Sequence, residues 1–282
     1  HSWVMNFPSE LEAFRAYADL FPDACLLLVD TYDTLKSGVP NAIRVFRELR
    51  EKGHEPKGIR LDSGDLAYLS KRARRMLDDA GFPDAIICAS GDLDEHVIAS
   101  LKNQGAKIDL WGVGTKLITS SDMPALGGVY KLSALYPAGG GEIPKIKLSD
   151  NSDKITNPAF KDVWRIYDNE TGKAEADLIV VRGETFDESK PLTIFHPKET
   201  WKRITFTDYT VRPLTVQVMR GGELCAPLPP LSEICAYASR EKESFWDEYK
   251  RQDNPHVYKV DLSQKLFDIK NKLISQIRGN DG

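Results

Sequence analysis

The stretch Gly58-Ile-Arg-Leu-Asp-Ser-Gly-Asp-Leu66 is an apolar run that stops abruptly at charged and hydroxyl residues, which predicts a buried strand leading into a polar loop. Three other stretches end in the same way, at residues 24–30, 85–92 and 107–115. In a parallel α/β sheet the carboxyl ends of the strands lie on one edge, where ligands bind. We therefore expect an enzyme whose active site lies on that edge.

Amphipathic segments predict helices around and between these strands, at residues 8–21, 38–50, 66–80 and 93–104. The strands recur at intervals of about 25 to 30 residues, the length of a βα unit, so we expect parallel strands with right-handed crossovers. An open doubly wound sheet and a closed barrel both fit this alternation. We favour the barrel because polar residues follow each strand, as where loops converge around a barrel mouth. Since a barrel needs about eight strands, the others are expected from sequence outside this chain.

The pattern changes after a further predicted strand at residues 127–135. Short alternating runs separated by glycine-containing turns predict antiparallel strands between residues 145 and 220, and helices return at 231–249 and 262–277. We divide the chain into the second half of an α/β barrel carrying the active site (1–135), a β-rich region (136–223) and a C-terminal helical region (224–282).

The composition of the 282 residues, with 41% apolar and 28% charged side chains, is that of a globular protein. The net charge is only −4 and no long block of Lys or Arg occurs, which argues against a broad nucleic-acid or membrane-binding surface. No apolar run approaches the roughly 18 residues of a membrane span. The four cysteines form no Cys-x-x-Cys pair, so we expect a reduced, cytoplasmic protein without a zinc site.

Several short motifs follow one another along the chain: His1-Ser2, Val29-Asp-Thr-Tyr-Asp33, Gly58-Ile-Arg-Leu-Asp-Ser-Gly-Asp65, Ala89-Ser-Gly-Asp92, and Gly112-Val-Gly-Thr115 followed by Leu126-Gly-Gly-Val-Tyr-Lys131. In this order and spacing they resemble the motifs of nicotinate phosphoribosyltransferases. The stretch 145–165 also resembles the place where that family leaves its barrel. The resemblance covers nearly all of residues 1–165 and, more loosely, the rest of the chain.

This resemblance implies a type II phosphoribosyltransferase. The implied fold is an incomplete α/β barrel with an attached β-rich region and C-terminal helices, in dimers that share active sites. The implied reaction joins nicotinate to phosphoribosyl pyrophosphate, giving nicotinate mononucleotide and pyrophosphate in NAD salvage. Coupled ATP hydrolysis would pass through a transient phosphohistidine, with Mg²⁺ accompanying phosphoribosyl pyrophosphate and ATP. Because the chain opens at His1, at the family's catalytic-histidine motif, the N-terminal half of the same protein is expected as a partner.

Aspartates at the strand ends suit this chemistry. Breaking the bond between ribose and pyrophosphate leaves positive charge on the sugar carbon, so fixed carboxylates near the ribose are needed. Asp30, Asp62 and Asp92 are candidates, the first two as catalytic residues. The alternative is that each aspartate only caps the helix that follows, and this alternative is strongest for Asp65.

Arg60 precedes Asp62 by two residues, so both side chains lie on one face of the predicted strand. Inside a barrel an unpaired cation would be costly. The resemblance assigns Arg60 to the carboxylate of nicotinate, which a guanidinium can bind through two hydrogen bonds. A buried pair of Arg60 and Asp62 without a ligand is the alternative.

Glycine-rich strand ends are candidates for phosphate binding, because their backbone N–H groups are not obstructed by a side chain. Glycines also make tight turns, so this signal alone is weak. The candidate substrate contacts are the two glycines Gly112 and Gly114 and the neighbouring hydroxyl residues Thr115, Ser90 and Ser63. Lys131 is a further candidate, which the resemblance favours over Lys116. The resemblance makes His1 the phosphorylated histidine. No protein ligand for a metal is assigned.

Other functions remain open. A quinolinate phosphoribosyltransferase would need a basic cluster for a dicarboxylate, and we find none. A nicotinamide phosphoribosyltransferase is a further alternative, since the preference for nicotinate rests on the resemblance. A non-catalytic binding module on the same barrel is the alternative from a different class, although Arg60, Asp62, Asp92 and the glycines are all present.

Overall fold

The structure is a computed structural model that describes residues 1–151 and 154–279. The chain divides into two compact units, His1–Gly127 and Gly128–Gly282. The predicted regions 1–135, 136–223 and 224–282 stay a prediction, and residues 152–153 and 280–282 lie outside the described residues. None of the helices among the described residues is long and apolar enough to cross a membrane.

The first unit alternates helices with short strands. In chain order its elements are α1 (Ser2–Met5), α2 (Glu10–Leu20), β1 (Leu26–Leu28), α3 (Val39–Glu51), β2 (Gly58–Leu61), α4 (Leu66–Asp79), β3 (Ile86–Ala89), α5 (Glu95–Asn103), β4 (Leu110–Trp111) and α6 (Thr115–Ile118). The strands are shorter than the apolar runs that predicted them, and β4 has only two residues.

These four strands pair in parallel, in the order β1-β2-β3-β4. Leu27 lies opposite Ile59, and Ile59 lies opposite Ile87. All three side chains are buried, as expected for parallel strands that are covered on both faces. The predicted parallel alternation of strands and helices is present, and the fold is mixed α/β.

The core of the first unit joins the sheet to helices α2, α3 and α4. Phe14, Phe46 and Leu77 come from these helices and are almost completely buried against the strand residues. The ring of Phe46 also meets that of Phe82 edge-on, with 5.5 Å between ring centroids. Burying an apolar side chain of this size stabilises a fold by about 1.5–3 kcal/mol, so the core holds the strand ends in fixed positions.

Three helices of this unit begin at a side chain that accepts a hydrogen bond from the backbone of the first turn. Ser9 caps α2, Asp65 caps α4 and Asp94 caps α5. Such a cap stabilises a helix by about 1 kcal/mol. Asp65 is therefore a helix cap, and it is the aspartate for which the sequence made this alternative strongest. Asp62 does not cap α4, so its carboxylate is available for another role.

The segment after β1 turns back tightly toward the strand. The carboxylate of Asp33 accepts a hydrogen bond from the backbone N–H of Lys36, which is the main reason that the pKa of Asp33 is lowered. The turn brings Gly38 against the strand end, where a Cβ atom would lie 1.8 Å from the carbonyl oxygen of Val29. Only glycine can occupy this position, and it fixes the start of α3 beside the polar end of β1.

The second unit is built mainly from strands. In chain order its elements are β5 (Ala134–Leu135), β6 (Ile143–Pro144), β7 (Lys161–Asp168), β8 (Ala174–Val181), β9 (Leu192–Phe195), β10 (Arg203–Phe206), β11 (Tyr209–Pro213), β12 (Met219–Arg220), β13 (Glu223–Leu224), α7 (Leu231–Glu243), β14 (Lys259–Leu262) and α8 (Gln264–Gly279). Its main sheet has the order β11-β7-β8-β14.

One strand of this sheet departs from the prediction. The pairs of β7 with β8 and with β11 are antiparallel, as predicted for residues 145–220. β14, however, lies in the region predicted to be helical, and it pairs in parallel with β8. Its four residues are too few to show an alternating pattern in the sequence.

A cluster of charged side chains ties α7 to this sheet. Arg165 on β7 binds Asp177 on β8 through two hydrogen bonds, of 2.8 and 3.0 Å. Arg165 also lies 3.3 Å from Glu241 on α7, which in turn binds Arg212 on β11. A buried ion pair tolerates the loss of one partner poorly, because the other charge is then left unpaired.

Candidate active site

The carboxyl ends of β1 and β2 are joined through Asp30. One oxygen of its carboxylate, Oδ2, accepts the backbone N–H of Asp62 at 3.0 Å and the hydroxyl of Ser63 at 2.6 Å. The side chain of Asp30 is only 2% exposed. Its second oxygen, Oδ1, is buried and has no hydrogen-bond partner among the described residues. This oxygen is therefore an acceptor with its capacity unused.

Arg60, Asp62 and Ser90 form a closed triangle of hydrogen bonds across the ends of β2 and β3. Arg60 Nε donates to Ser90 Oγ at 2.7 Å, and Arg60 Nη2 donates to Asp62 Oδ1 at 2.9 Å. The hydroxyl of Ser90 donates to the same oxygen of Asp62 at 2.5 Å. The hydrogen bond from Ser90, followed by that from Arg60, lowers the pKa of Asp62. Asp62 is consequently ionised at neutral pH.

The pairing of Arg60 with Asp62 was one of the two alternatives for Arg60, and the structure contains this pair. The pair is not buried, however. The side chain of Arg60 is 43% exposed, and Nη1 makes no hydrogen bond to any described residue. The guanidinium is thus held on one side and open on the other, which leaves room for an anionic ligand.

His1 lies at the same strand ends. Its Nδ1 is 3.1 Å from the hydroxyl oxygen of Thr31. Its Nε2 faces two carboxylates, at 3.9 Å from Asp30 Oδ1 and 3.8 Å from Asp62 Oδ2. The structure therefore brings together the three residues that the sequence predicted as catalytic.

The turn after Ser90 brings the end of β3 close to β2. Gly91 has a φ of +108°, and a Cβ atom there would lie 2.7 Å from the carbonyl oxygen of Asp62. Glycine is required at this position by both conformation and space. Asp92 is exposed, and its carboxylate makes no hydrogen bond within residues 1–151 and 154–279. Its predicted contact with substrate stays a prediction.

The glycine loop after β4 lies beside Ser90. The N–H of Gly112 donates to the carbonyl of Ala89 at 2.7 Å, so this group belongs to the sheet. Gly114 and Thr115 follow at the start of the short helix α6. Their backbone N–H groups make no hydrogen bond to a described residue, so they could still serve a phosphate.

Lys131 belongs to the second unit, where its ammonium donates to the carbonyl oxygen of Lys154 at 2.8 Å. Its predicted phosphate contact stays a prediction. Two contacts were not foreseen: the one that Thr31 makes with His1, and the close approach of Gly91 to Asp62. The signal for Thr31 was its position directly after Asp30; Gly91 belongs to a glycine-containing strand end that the sequence suggested only for phosphate binding.

Comparison with known proteins identifies both sequence relatives and structural neighbours. Residues 160–270 match the family model described as the nicotinate phosphoribosyltransferase C-terminal domain. Nicotinate phosphoribosyltransferase of Bacillus subtilis (strain 168) is 46% identical over 278 residues, which are 99% of this chain and 56% of that protein. The protein of the same name from Homo sapiens is 33% identical over 273 residues, covering 94% of this chain and 50% of that protein.

The structural neighbours agree with these matches. The crystal structure of human nicotinic acid phosphoribosyltransferase has a TM-score of 0.78 at 31% identity, and the match covers 94% of this chain and 50% of that chain. Nicotinate-nucleotide pyrophosphorylase from Pyrococcus furiosus has a TM-score of 0.57 at 19% identity over 87% of this chain and 54% of that chain, a likeness of fold alone. The chain spans about half the length of the curated relatives it matches. Nearly the whole chain is thus similar to about half of proteins named nicotinate phosphoribosyltransferase, and residues 160–270 match the C-terminal domain of that family.

Proposed function

We propose that the protein is a nicotinate phosphoribosyltransferase of NAD biosynthesis, which makes nicotinate mononucleotide and pyrophosphate from nicotinate and phosphoribosyl pyrophosphate with coupled ATP hydrolysis. The observation that carries this proposal is the half-exposed pair of Arg60 and Asp62, with Asp30 and His1 beside it. This arrangement offers a cation for an acidic substrate next to carboxylates for a developing cation. The names of the relatives above support the transfer of a phosphoribosyl group to nicotinate.

Asp62 is proposed to act on the ribose. Its lowered pKa keeps the carboxylate ionised at neutral pH, and the hydrogen bonds from Ser90 and Arg60 fix its position. A charge that is already in place when the ribosyl–pyrophosphate bond breaks stabilises the positive sugar carbon without reorganisation. Asp30 supports it by holding the backbone N–H of Asp62. Asp92 is proposed as a further contact to the substrate.

Arg60 is proposed to bind the carboxylate of nicotinate. Its open side can offer two parallel N–H groups, the geometry that matches a carboxylate. The amide of nicotinamide presents one acceptor oxygen and an NH₂ donor, which would meet a second donor on the guanidinium. The preference for the acid over the amide follows from this mismatch.

His1 is proposed to accept the phosphoryl group of ATP. Because Nδ1 lies against Thr31, Nε2 is the ring nitrogen that faces the cleft with Asp30 and Asp62. The carboxylates of Asp30 and Asp62 nearby would repel a further negative charge. A phosphoryl group on Nε2 would therefore raise the free energy of the site until Mg²⁺ compensates its charge.

Mg²⁺ is proposed to enter with phosphoribosyl pyrophosphate and ATP, and it supplies charge neutralisation on the leaving pyrophosphate. Protein magnesium sites commonly use one or two carboxylates together with substrate phosphates. Among the described residues no group of three or more His, Cys, Asp or Glu side chains could hold a metal. The unused acceptor Asp30 Oδ1 fits a role as one carboxylate contact to such an ion.

The finer architecture is proposed together with the activity. We propose an incomplete type II phosphoribosyltransferase barrel with a β-rich region and C-terminal helices, completed by the N-terminal half of the same protein and assembled as a cytoplasmic homodimer. Ile118 and Leu126 are each 87% exposed, and exposed apolar side chains support a contact with further polypeptide at that surface. Ser63, Gly114, Thr115 and Lys131 stay proposed substrate contacts.

A side-by-side assay tests the proposed function. Full-length protein is incubated with phosphoribosyl pyrophosphate, ATP and Mg²⁺, and with nicotinate, nicotinamide or quinolinate in turn. We expect nucleotide and pyrophosphate with nicotinate, with ADP formed in parallel. If nucleotide forms only with nicotinamide or only with quinolinate, that compound is the substrate instead of nicotinate. If none of the three compounds gives nucleotide, the proposal is overturned.

A further inference from the structure

Ser90 has no donor left for an anionic ligand. Its backbone N–H donates to the carbonyl of Leu61 at 2.9 Å, and its hydroxyl proton goes to Asp62. A serine hydroxyl has a single donor, and the oxygen here also accepts from Arg60 Nε. Phosphate and carboxylate groups need donors, and the residue is only 9% exposed. Ser90 can therefore bind neither anion while the triangle with Arg60 and Asp62 is intact.

The same triangle decides which side of Arg60 is open. A guanidinium has five N–H groups in one plane, and Arg60 uses the Nε group for Ser90 and one Nη2 group for Asp62. Both N–H groups of Nη1 and the second one of Nη2 remain. These groups lie at the far end of the side chain, where Nη1 and Nη2 can bind the two oxygens of one carboxylate.

We propose that Ser90 is a positioning residue that anchors the Nε side of Arg60, so that the Nη1–Nη2 end of the guanidinium is the face offered to the carboxylate of the pyridine substrate. The proposal rests on the proposed function for the identity of that substrate. Without the hydroxyl, the Nε–Nη2 side of Arg60 becomes available to both oxygens of Asp62. Asp62 would then bind Arg60 through a bidentate pair of hydrogen bonds and draw the guanidinium away from the substrate.

The test compares Ser90→Ala with Ser90→Thr, which keeps a hydroxyl, and with Ser70→Ala as a matched control. Ser70 is also buried, and its hydroxyl also makes two hydrogen bonds, to Ala67 and Lys107, but on the helix side of the unit. In full-length protein, Ser90→Ala should raise the KM for nicotinate about tenfold, the effect of losing one hydrogen bond to a charged group. The KM for phosphoribosyl pyrophosphate should stay within about twofold, as should both constants in Ser70→Ala.

A second readout does not depend on activity. In the NMR spectrum, the Nε–H of Arg60 should exchange slowly with water in the wild type and in Ser90→Thr, and rapidly in Ser90→Ala. If Ser90→Ala does not fold, Ser90→Cys, which fills the same space with a weak donor, takes its place. The proposal would be overturned if the variant without the hydroxyl kept slow exchange of the Arg60 Nε–H and a wild-type KM for nicotinate. It would also be overturned if only the KM for phosphoribosyl pyrophosphate rose. Absence of all nucleotide formation in the wild type would instead reject the proposed function, and the NMR result would still judge the role of Ser90.

Discussion

Replacing Arg60 by lysine tests the assignment of the substrate carboxylate. The arginine holds Ser90 at 2.7 Å and Asp62 at 2.9 Å while its Nη1 end stays open. A lysine ammonium is a point donor that cannot hold these two partners and a planar carboxylate together. In Arg60→Lys the substrate should keep one of its two hydrogen bonds to the cation and lose the other.

The magnitude follows from that single lost bond. A hydrogen bond to a charged group contributes about 1.5–3 kcal/mol, and each 1.4 kcal/mol changes an equilibrium constant about tenfold. The KM for nicotinate should therefore rise by about 10-fold to 100-fold. Binding of phosphoribosyl pyrophosphate should change little, because Ser90 still donates to Asp62, the proposed ribose contact.

The assay is steady-state formation of nicotinate mononucleotide by full-length protein, with nicotinate varied at saturating phosphoribosyl pyrophosphate and ATP. Arg15→Lys is the matched control, because Arg15 also binds a carboxylate, that of Glu48, through several hydrogen bonds on the outer helices. This control should keep the wild-type KM. An unchanged nicotinate KM in Arg60→Lys would remove Arg60 from the base site.

Three further outcomes are expected. Gly38→Ala should lower the melting temperature clearly, because overpacking of this kind costs about 1–3 kcal/mol or more. The control Gly127→Ala should not lower it, because the space around Gly127 is open. Equal melting temperatures of the two variants would contradict the tight turn. Burial raises the pKa of the Cys25 thiol to about 12, so iodoacetamide near pH 8 should alkylate the exposed Cys225 and spare Cys25, as peptide mass spectrometry can show; equal labelling would refute its burial. Because the folded pKa of Asp62 is lowered, its bonds stabilise the fold above the ordinary aspartate pKa of about 3.9 and lose effect as the pH falls through the lower folded value. The difference in melting temperature between wild type and Asp62→Asn should thus be full near about pH 6 and shrink towards about pH 3, and a difference that is the same at both would argue against the lowered pKa.

Much of the first unit could be predicted because burial on both faces leaves a direct mark on the sequence. The parallel strands are continuous apolar runs, and each run ends where polar side chains reach the edge of the sheet. The residues His1, Asp30 and Asp62 were predicted on that basis and by resemblance, and the structure brings their side chains together. A short strand such as β14 leaves no such mark.

The hydrogen bonds inside the site could not be predicted in the same way. The triangle depends on the register of β2 and β3, in which Leu61 lies opposite Ala89 and the following residues, Asp62 and Ser90, come together. A shift of one residue would separate them, and apolar runs without alternation do not specify the register. For this reason Ser90 was predicted as a phosphate contact, whereas the structure commits its donors to the protein.

The shared hydrogen bonds of Arg60, Asp62 and Ser90 also limit how this site can change over evolutionary time. Residues in one hydrogen-bond network have non-additive effects, with coupling energies of about 0.5–3 kcal/mol. Because Ser90 is proposed to act through Arg60, the loss of Ser90 should cost little once Arg60 has been replaced. A lineage that replaced Arg60 would be free to lose Ser90 soon afterwards, and restoring Arg60 alone would no longer restore the original site.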